Sequence, residues 1–161
     1  MFNKSRVLFG LFALFIFTVS APVTAQKAPT FSLDSDNGKI SLNQYKNKLV
    51  YLDFWASWCK PCRTSFKFMN EIQQRYGNKG LQIIAINLDE DRASAARFLK
   101  SHPANFKIAY DPDGSTPGAY NLKVMPTSYL IDKRGNIILT HKGFKETQAP
   151  ELEKMIAQAL N

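Results

Sequence analysis

The chain has 161 residues and a formal net charge of +8, from 21 Lys and Arg against 13 Asp and Glu. That length allows one domain with a sizeable core, and the basic residues are scattered (Lys46 and Lys48, Lys133 and Arg134, Lys142 and Lys145) with no aromatic-interleaved stripe, which argues against nucleic-acid binding. The only two cysteines, Cys59 and Cys62, are too close to staple a long loop, and with His102 and His141 far apart they make only half a zinc shell.

Residues 1–25 read as a secretory signal. Lys4 and Arg6 form a basic start, Val7 to Val19 an apolar run, and Val23-Thr24-Ala25 a small-residue exit. The run is shorter than the roughly 20 residues a spanning helix needs, which favours cleavage after Ala25 over retention as an anchor. No cysteine stands at the exit, which argues against lipid anchoring. Cleavage leaves residues 26–161 as one domain, with 19 basic residues against 13 acidic ones and a net charge of +6. Export places the chain in the periplasm, where disulfides persist.

Ala28 to Leu42 has the pattern of a hairpin. Phe31, Leu33, Ile40 and Leu42 alternate with polar residues around an Asn37-Gly38 turn. Asn43 to Asn47 is a turn or short helical piece. Leu49-Val50-Tyr51-Leu52-Asp53-Phe54-Trp55 then reads as a strand buried on both faces. Cys62, Phe66, Met69, Ile72 and Tyr76 recur every three or four residues, so a helix follows, stopped by Gly77.

Cys59 therefore sits in the first turn of that helix. The unpaired N–H groups and the dipole there favour negative charge, which lowers the thiol pKa. Cys62 lies one turn on, close enough to attack a mixed disulfide formed at Cys59. Pro61 fits the first turn, where its missing N–H costs nothing. Trp58 offers a flat apolar surface beside the sulfur. Asp53 is the anomaly of the strand. A carboxylate in so apolar a run either lies at an exposed edge or is buried with a raised pKa and serves as proton acceptor for Cys62.

Further on, Leu81 to Asn87 is a second buried strand. Asp89 or Asp91 caps a helix with Ala95, Phe98 and Leu99 on its apolar face, and Pro103 ends it. Phe106 to Tyr110 is a short strand, Asp111-Pro112-Asp113-Gly114 a turn, and Ser115 to Tyr120 a short helix. Thr127 to Ile131 and Ile137 to Thr140 form an antiparallel pair around Lys133-Arg134-Gly135-Asn136. Leu152, Met155, Ile156, Ala159 and Leu160 stripe a closing helix. The order predicts an α/β fold, a central mixed β-sheet with helices on both faces.

Asp53-Phe-Trp-Ala-Ser-Trp-Cys-Lys-Pro-Cys resembles the active-site stretch of the thioredoxin superfamily, and Val124-Met125-Pro126-Thr127 resembles its second signature. The likeness runs from about Ala28 to the C-terminus. It is strongest to exported TlpA/ResA-like thiol-disulfide oxidoreductases, whose redoxin-like layout is shared with peroxiredoxins. The N-terminal hairpin and the helix-strand insertion at about Asp91 to Tyr110 fit that branch. The resemblance implies that Cys59 is the nucleophile, Cys62 the resolving cysteine and Asp53 the proton acceptor. It also makes Pro126 a cis-proline packed against the pair, with Met125 and Trp58 facing substrate. It implies no metal and no cofactor beyond the redox-active pair, disulfide-containing substrate proteins, a membrane thiol reductant of the DsbD type, and a monomer. An acidic residue three positions after the second cysteine, present in many ResA-like and cytochrome-maturation members, is replaced by Ser65. That puts haem maturation in doubt and moves proton handling to Asp53.

Two other functions compete with this reading. Peroxiredoxins carry a proline and a threonine before the reactive cysteine, where this chain has Leu52 and Ala56. A copper-binding module that kept the fold uses wider cysteine spacing and a histidine.

Overall fold

The computed structural model describes residues 25–161. The signal sequence expected over residues 1–25 falls outside the described residues, apart from Ala25. A hairpin of β1 (Ser32–Ser35) and β2 (Gly38–Ser41) leads through a 3-10 turn, Leu42–Tyr45, to β3 (Leu49–Trp55) and α1 (Lys60–Tyr76). Next come β4 (Leu81–Asn87), α2 (Arg92–Ser101) and β5 (Lys107–Tyr110). A hairpin of β6 (Thr127–Ile131) and β7 (Ile137–Lys142) and the closing α3 (Ala149–Leu160) complete the chain.

The seven strands form one mixed sheet in the order β2-β1-β5-β4-β3-β6-β7. β3, β4 and β5 run parallel, and β6, β7, β1 and β2 are added antiparallel. β3 is the central element, paired along its length with β4 and β6, and all seven of its residues are buried. Burying a side chain the size of Leu52 or Phe54 stabilises the fold by roughly 1.5–3 kcal/mol. The pairings Trp55 with Asn87 and Phe54 with Thr127 put three chain ends at one edge of the sheet. These are the C-terminal ends of β3 and β4 and the start of β6, where ligand sites of open α/β sheets form.

The helices do not divide between the two faces. Tyr51 and Trp55 of β3 and Ile83 and Ala85 of β4 pack in one cluster with residues of α1, α2 and α3. Val50, Leu52, Phe54, Ile84 and Ile86 point the other way, into a core covered by Phe31, Leu33, Ile40, Leu42 and Tyr120. The crossovers β3-α1-β4 and β4-α2-β5 both step the same way along the sheet. A right-handed crossover then leaves both helices on the same face.

Two local expectations are corrected. The hairpin turn is Asp36-Asn37, one residue earlier than expected, because Ser35 pairs with Gly38. Gly38 takes the left-handed conformation just after the turn, at φ 94°. α1 ends at Tyr76 with Gly77 as its C-cap, as expected, but Gly77 keeps helical φ and ψ and begins a 3-10 turn (Gly77–Lys79) that Gly80 closes at φ 104°. Ser115 to Tyr120 forms turns rather than a helix. Tyr120 bonds back to Thr116, Asn121 to Gly118 and Leu122 to Pro117, three different spacings, so no regular ladder propagates.

Candidate active site

β3 ends at Trp55, and Ala56-Ser57-Trp58 turns the chain into α1. Cys59 is the N-cap residue, with extended backbone, and its N–H bonds to Ala56 O. No side chain caps the first-turn N–H groups, and no acidic residue stands in that turn. The positive end of the helix thus faces Cys59 without local compensation, and Lys60 adds a cation beside it. Both favour negative charge on the Cys59 sulfur when the pair is reduced. In this structure Cys59 and Cys62 are joined in a disulfide with Cα atoms 5.4 Å apart.

The two sulfurs differ in access. Cys62 is 0 % exposed, one turn inside the helix among Phe66 and Met69, whereas Cys59 is 4 % exposed and lines a surface groove. That groove, about 440 Å³, is walled by Trp58, Pro61, Leu122, Val124 and Met125, with Lys60 and Lys123 on its rim. Among the described residues only three large hydrophobic side chains are exposed, and two of them, Trp58 at 68 % and Val124 at 49 %, stand here. An exposed apolar patch rimmed by polar residues is the kind of surface that proteins use for interaction. Met125 is partly buried against the core, and Pro126, joined to it by a cis peptide bond, is itself buried.

Asp53 does not lie at an exposed edge, since it is completely buried. It shares the face of β3 that carries Tyr51 and Trp55, the face packed by α1. Its Oδ1 accepts a hydrogen bond of 2.7 Å from the Ser128 hydroxyl, which accepts one of 2.8 Å from Tyr51. Its Oδ2 has no protein partner. Burial pushes the carboxyl up to about 7, against the smaller opposing effect of the Ser128 hydrogen bond. A carboxyl in that range exchanges its proton near neutral pH. Burial, and then the charge of Asp53, push the Tyr51 hydroxyl upward as well, so it remains a donor.

One residue of the site was not singled out by sequence reasoning. Asp89 and Asp91 are alternative caps for α2 by sequence, and the cap is Asp91. Asp89 is instead buried beyond the end of β4 and turned toward the active-site corner. Its carboxylate accepts from the Ser57 N–H at 2.9 Å, the Ser57 hydroxyl at 2.8 Å and Asn87 Nδ2 at 2.7 Å. It thereby ties the loop before Cys59 to the neighbouring strand. The available signal was an acidic residue two positions past a buried parallel strand, at the edge where sites form. Asp89→Ala leaves three donors without their acceptor, and an expected loss of about 2 kcal/mol should appear in urea denaturation of the oxidised protein. Ser65, at the position of the missing acid, is buried and donates its hydroxyl to the Cys62 carbonyl.

Among the described residues no cluster of three or more His, Cys, Asp or Glu side chains is placed to hold a metal ion. The arrangement is suited to dithiol chemistry: one sulfur at a groove, a second sealed beneath it, and a buried acid on the same face of the sheet.

Comparison with known proteins agrees with this chemistry. The Redoxin family model matches residues 24–156. The thiol-disulfide oxidoreductase ResA of Bacillus cereus is 34 % identical, with 96 % of each chain covered. ResA of Bacillus subtilis is 32 % identical, covering 86 % of this chain and 82 % of its own. A Chlorobium tepidum structure described as a thiol:disulfide interchange protein DsbE superposes with a TM-score of 0.84 at 47 % identity, covering 85 % of this chain and 97 % of the other. The chain belongs to the Redoxin family, and with its C-x-x-C pair at a helix N-terminus it is a ResA-like thiol-disulfide oxidoreductase of the thioredoxin superfamily.

Proposed function

We propose that this thiol-disulfide oxidoreductase is exported to the periplasm and reduces disulfides of other proteins there. The observation that carries the reading is the asymmetry of the pair, with Cys59 open to an apolar groove and Cys62 sealed. The Cys59 thiolate attacks a substrate disulfide. Cys62, giving its proton to Asp53, displaces the substrate and closes the Cys59–Cys62 bond. Trp58 and Met125 contact the substrate segment, and Pro126 supports that surface from beneath.

The reducing direction is supported by Lys60-Pro61 between the cysteines, which lacks the histidine of strong oxidants such as DsbA. A membrane thiol reductant of the DsbD type then returns the pair to the dithiol, and the protein acts as a monomer without a further cofactor. Export is supported by the basic and apolar start of the chain, and no helix among the described residues is long and apolar enough to cross a membrane. Peroxidase activity is disfavoured by Leu52 and Ala56, where peroxiredoxins hold proline and threonine.

Insulin reduction by the dithiol protein, together with its potential measured against glutathione, tests the reading. A potential close to that of thioredoxin supports reduction, and one close to that of DsbA reverses the direction. Trp58→Ala is expected to raise KM for a protein disulfide about fivefold with kcat retained, since the lost apolar contact is worth about 1 kcal/mol.

A further inference from the structure

A row of polar side chains crosses the sheet on the α1 face. Asp53 of β3 stands opposite Ser128 of β6, and Ser128 stands opposite His141 of β7. Residues directly opposite share a face, so the three side chains lie side by side. Asp53 Oδ1 is bound by Ser128, but Asp53 Oδ2 and His141 Nε2 are both buried without a protein partner. Neither atom has a bond to offset its lost hydration, and the two flank a single hydroxyl. The His141 ring is half-buried and nearly perpendicular to the Phe144 ring, and its Nε2 is the buried end. The row therefore runs from a buried acid to the protein surface.

Resting on the role proposed above for Asp53, we propose that His141 is the outer station of the proton path. The proton that Asp53 accepts from Cys62 passes by the Ser128 hydroxyl to His141 Nε2, which is not hydrogen-bonded to that hydroxyl in this oxidised structure and must close on it during turnover, and leaves to solvent from Nδ1. The balance is simple. The Cys62 S–H bond gives its proton to the Asp53 carboxylate. The Cys62 sulfur then forms its bond to Cys59 as the bond between Cys59 and substrate breaks, and the substrate sulfur departs as a thiolate. Discharge through His141 regenerates the carboxylate.

An imidazole can serve here only while it is neutral, and burial holds His141 below the usual histidine value. The titratable groups on the elements packed around the row are Tyr51 and Asp53 of β3 and Cys62 of α1. Lys67 and Glu71 of α1, with Glu146, surround the neighbouring cavity lined by Phe68 and Phe144. None of them hydrogen-bonds His141 among the described residues. Tyr51 stays a donor, which leaves Asp53 and His141 as the pair that exchanges protons. His141 is a positioning and relay residue, because it does not touch the reacting sulfurs.

The test is stopped-flow release of the second thiol from a disulfide-linked fluorescent peptide, from about pH 5.5 to 8.5, across the range in which histidine titrates. It uses the wild type, His141→Ala and His141→Gln, with circular dichroism to verify the fold. Both variants are expected to release about tenfold more slowly, just below the usual span of general acid-base contributions. Both are also expected to lose the acidic inflection of the wild type. Added imidazole should restore His141→Ala. Variants with the wild-type rate and pH profile, or a slow His141→Ala indifferent to imidazole, overturn the relay. A wild type that never releases the second thiol overturns the oxidoreductase mechanism itself, and the relay with it.

Discussion

Cys62→Ser is expected to turn the protein into a trap that accumulates mixed disulfides at Cys59. Only Cys59 lines the groove, so an incoming disulfide meets that sulfur first, while Cys62 is sealed inside α1. In the proposed mechanism, formation of the first bond needs the Cys59 thiolate, which the helix N-terminus and Lys60 favour. Its release needs the sulfur of Cys62, and a serine hydroxyl cannot displace a thiolate. Insulin reduction should fall by at least about 10³-fold in both Cys59→Ser and Cys62→Ser. Only Cys62→Ser should retain covalently bound partners on non-reducing gels, and mass spectrometry of those bands names the substrates. Equal trapping by Cys59→Ser would reverse the roles of the two cysteines.

Asp53→Asn is expected to stabilise the oxidised protein at pH 8 while impairing its chemistry. The Asp53 carboxyl, raised from 3.8 to about 7 by burial, binds its proton more tightly in the folded chain than in the unfolded one. Its contribution to stability is full below about pH 4, falls as the unfolded chain deprotonates, and is lost once pH passes about 7. The total fall is on the order of 4 kcal/mol. Asparagine does not titrate, so the variant should lack this slope. It should exceed the parent most at pH 8, with the difference shrinking toward pH 4. Urea denaturation at both pH values measures it, and parallel curves would mean that no buried acid titrates there. In kinetics, the variant should resolve the mixed disulfide about 10²-fold more slowly near neutral pH, with formation little changed. Equal resolution rates by stopped-flow would remove Asp53 from the mechanism.

Much of this protein was legible in the order of its residues, because its elements carry strong local signals. The seven-residue apolar run before the cysteines is β3, and the Cys62, Phe66, Met69, Ile72 spacing is the buried stripe of α1. The pairing of β6 with β7 and the stripe Leu152 and Ile156 of α3 also follow from periodicity and turn residues. The position of Cys59 at a helix mouth needed nothing beyond the change of period at that corner.

What the tertiary structure alone decided are the features that depend on neighbours far along the chain. The side of the sheet taken by α2 depends on the direction of two successive crossovers, which residue patterns do not carry. Whether Asp53 was exposed or buried turned on β4 and β6 pairing along both edges of β3, and its one partner, Ser128, lies 75 residues away. Asp89 turned toward Ser57 rather than capping α2 because β3 and β4 end side by side, a register no local window contains. In the sequence His141 is an isolated histidine, and only strand pairing sets it beside Ser128. Periodicity specifies which face of an element is apolar. Only the assembled sheet determines which polar groups share the inside, and the proposed proton chemistry rests on that sharing.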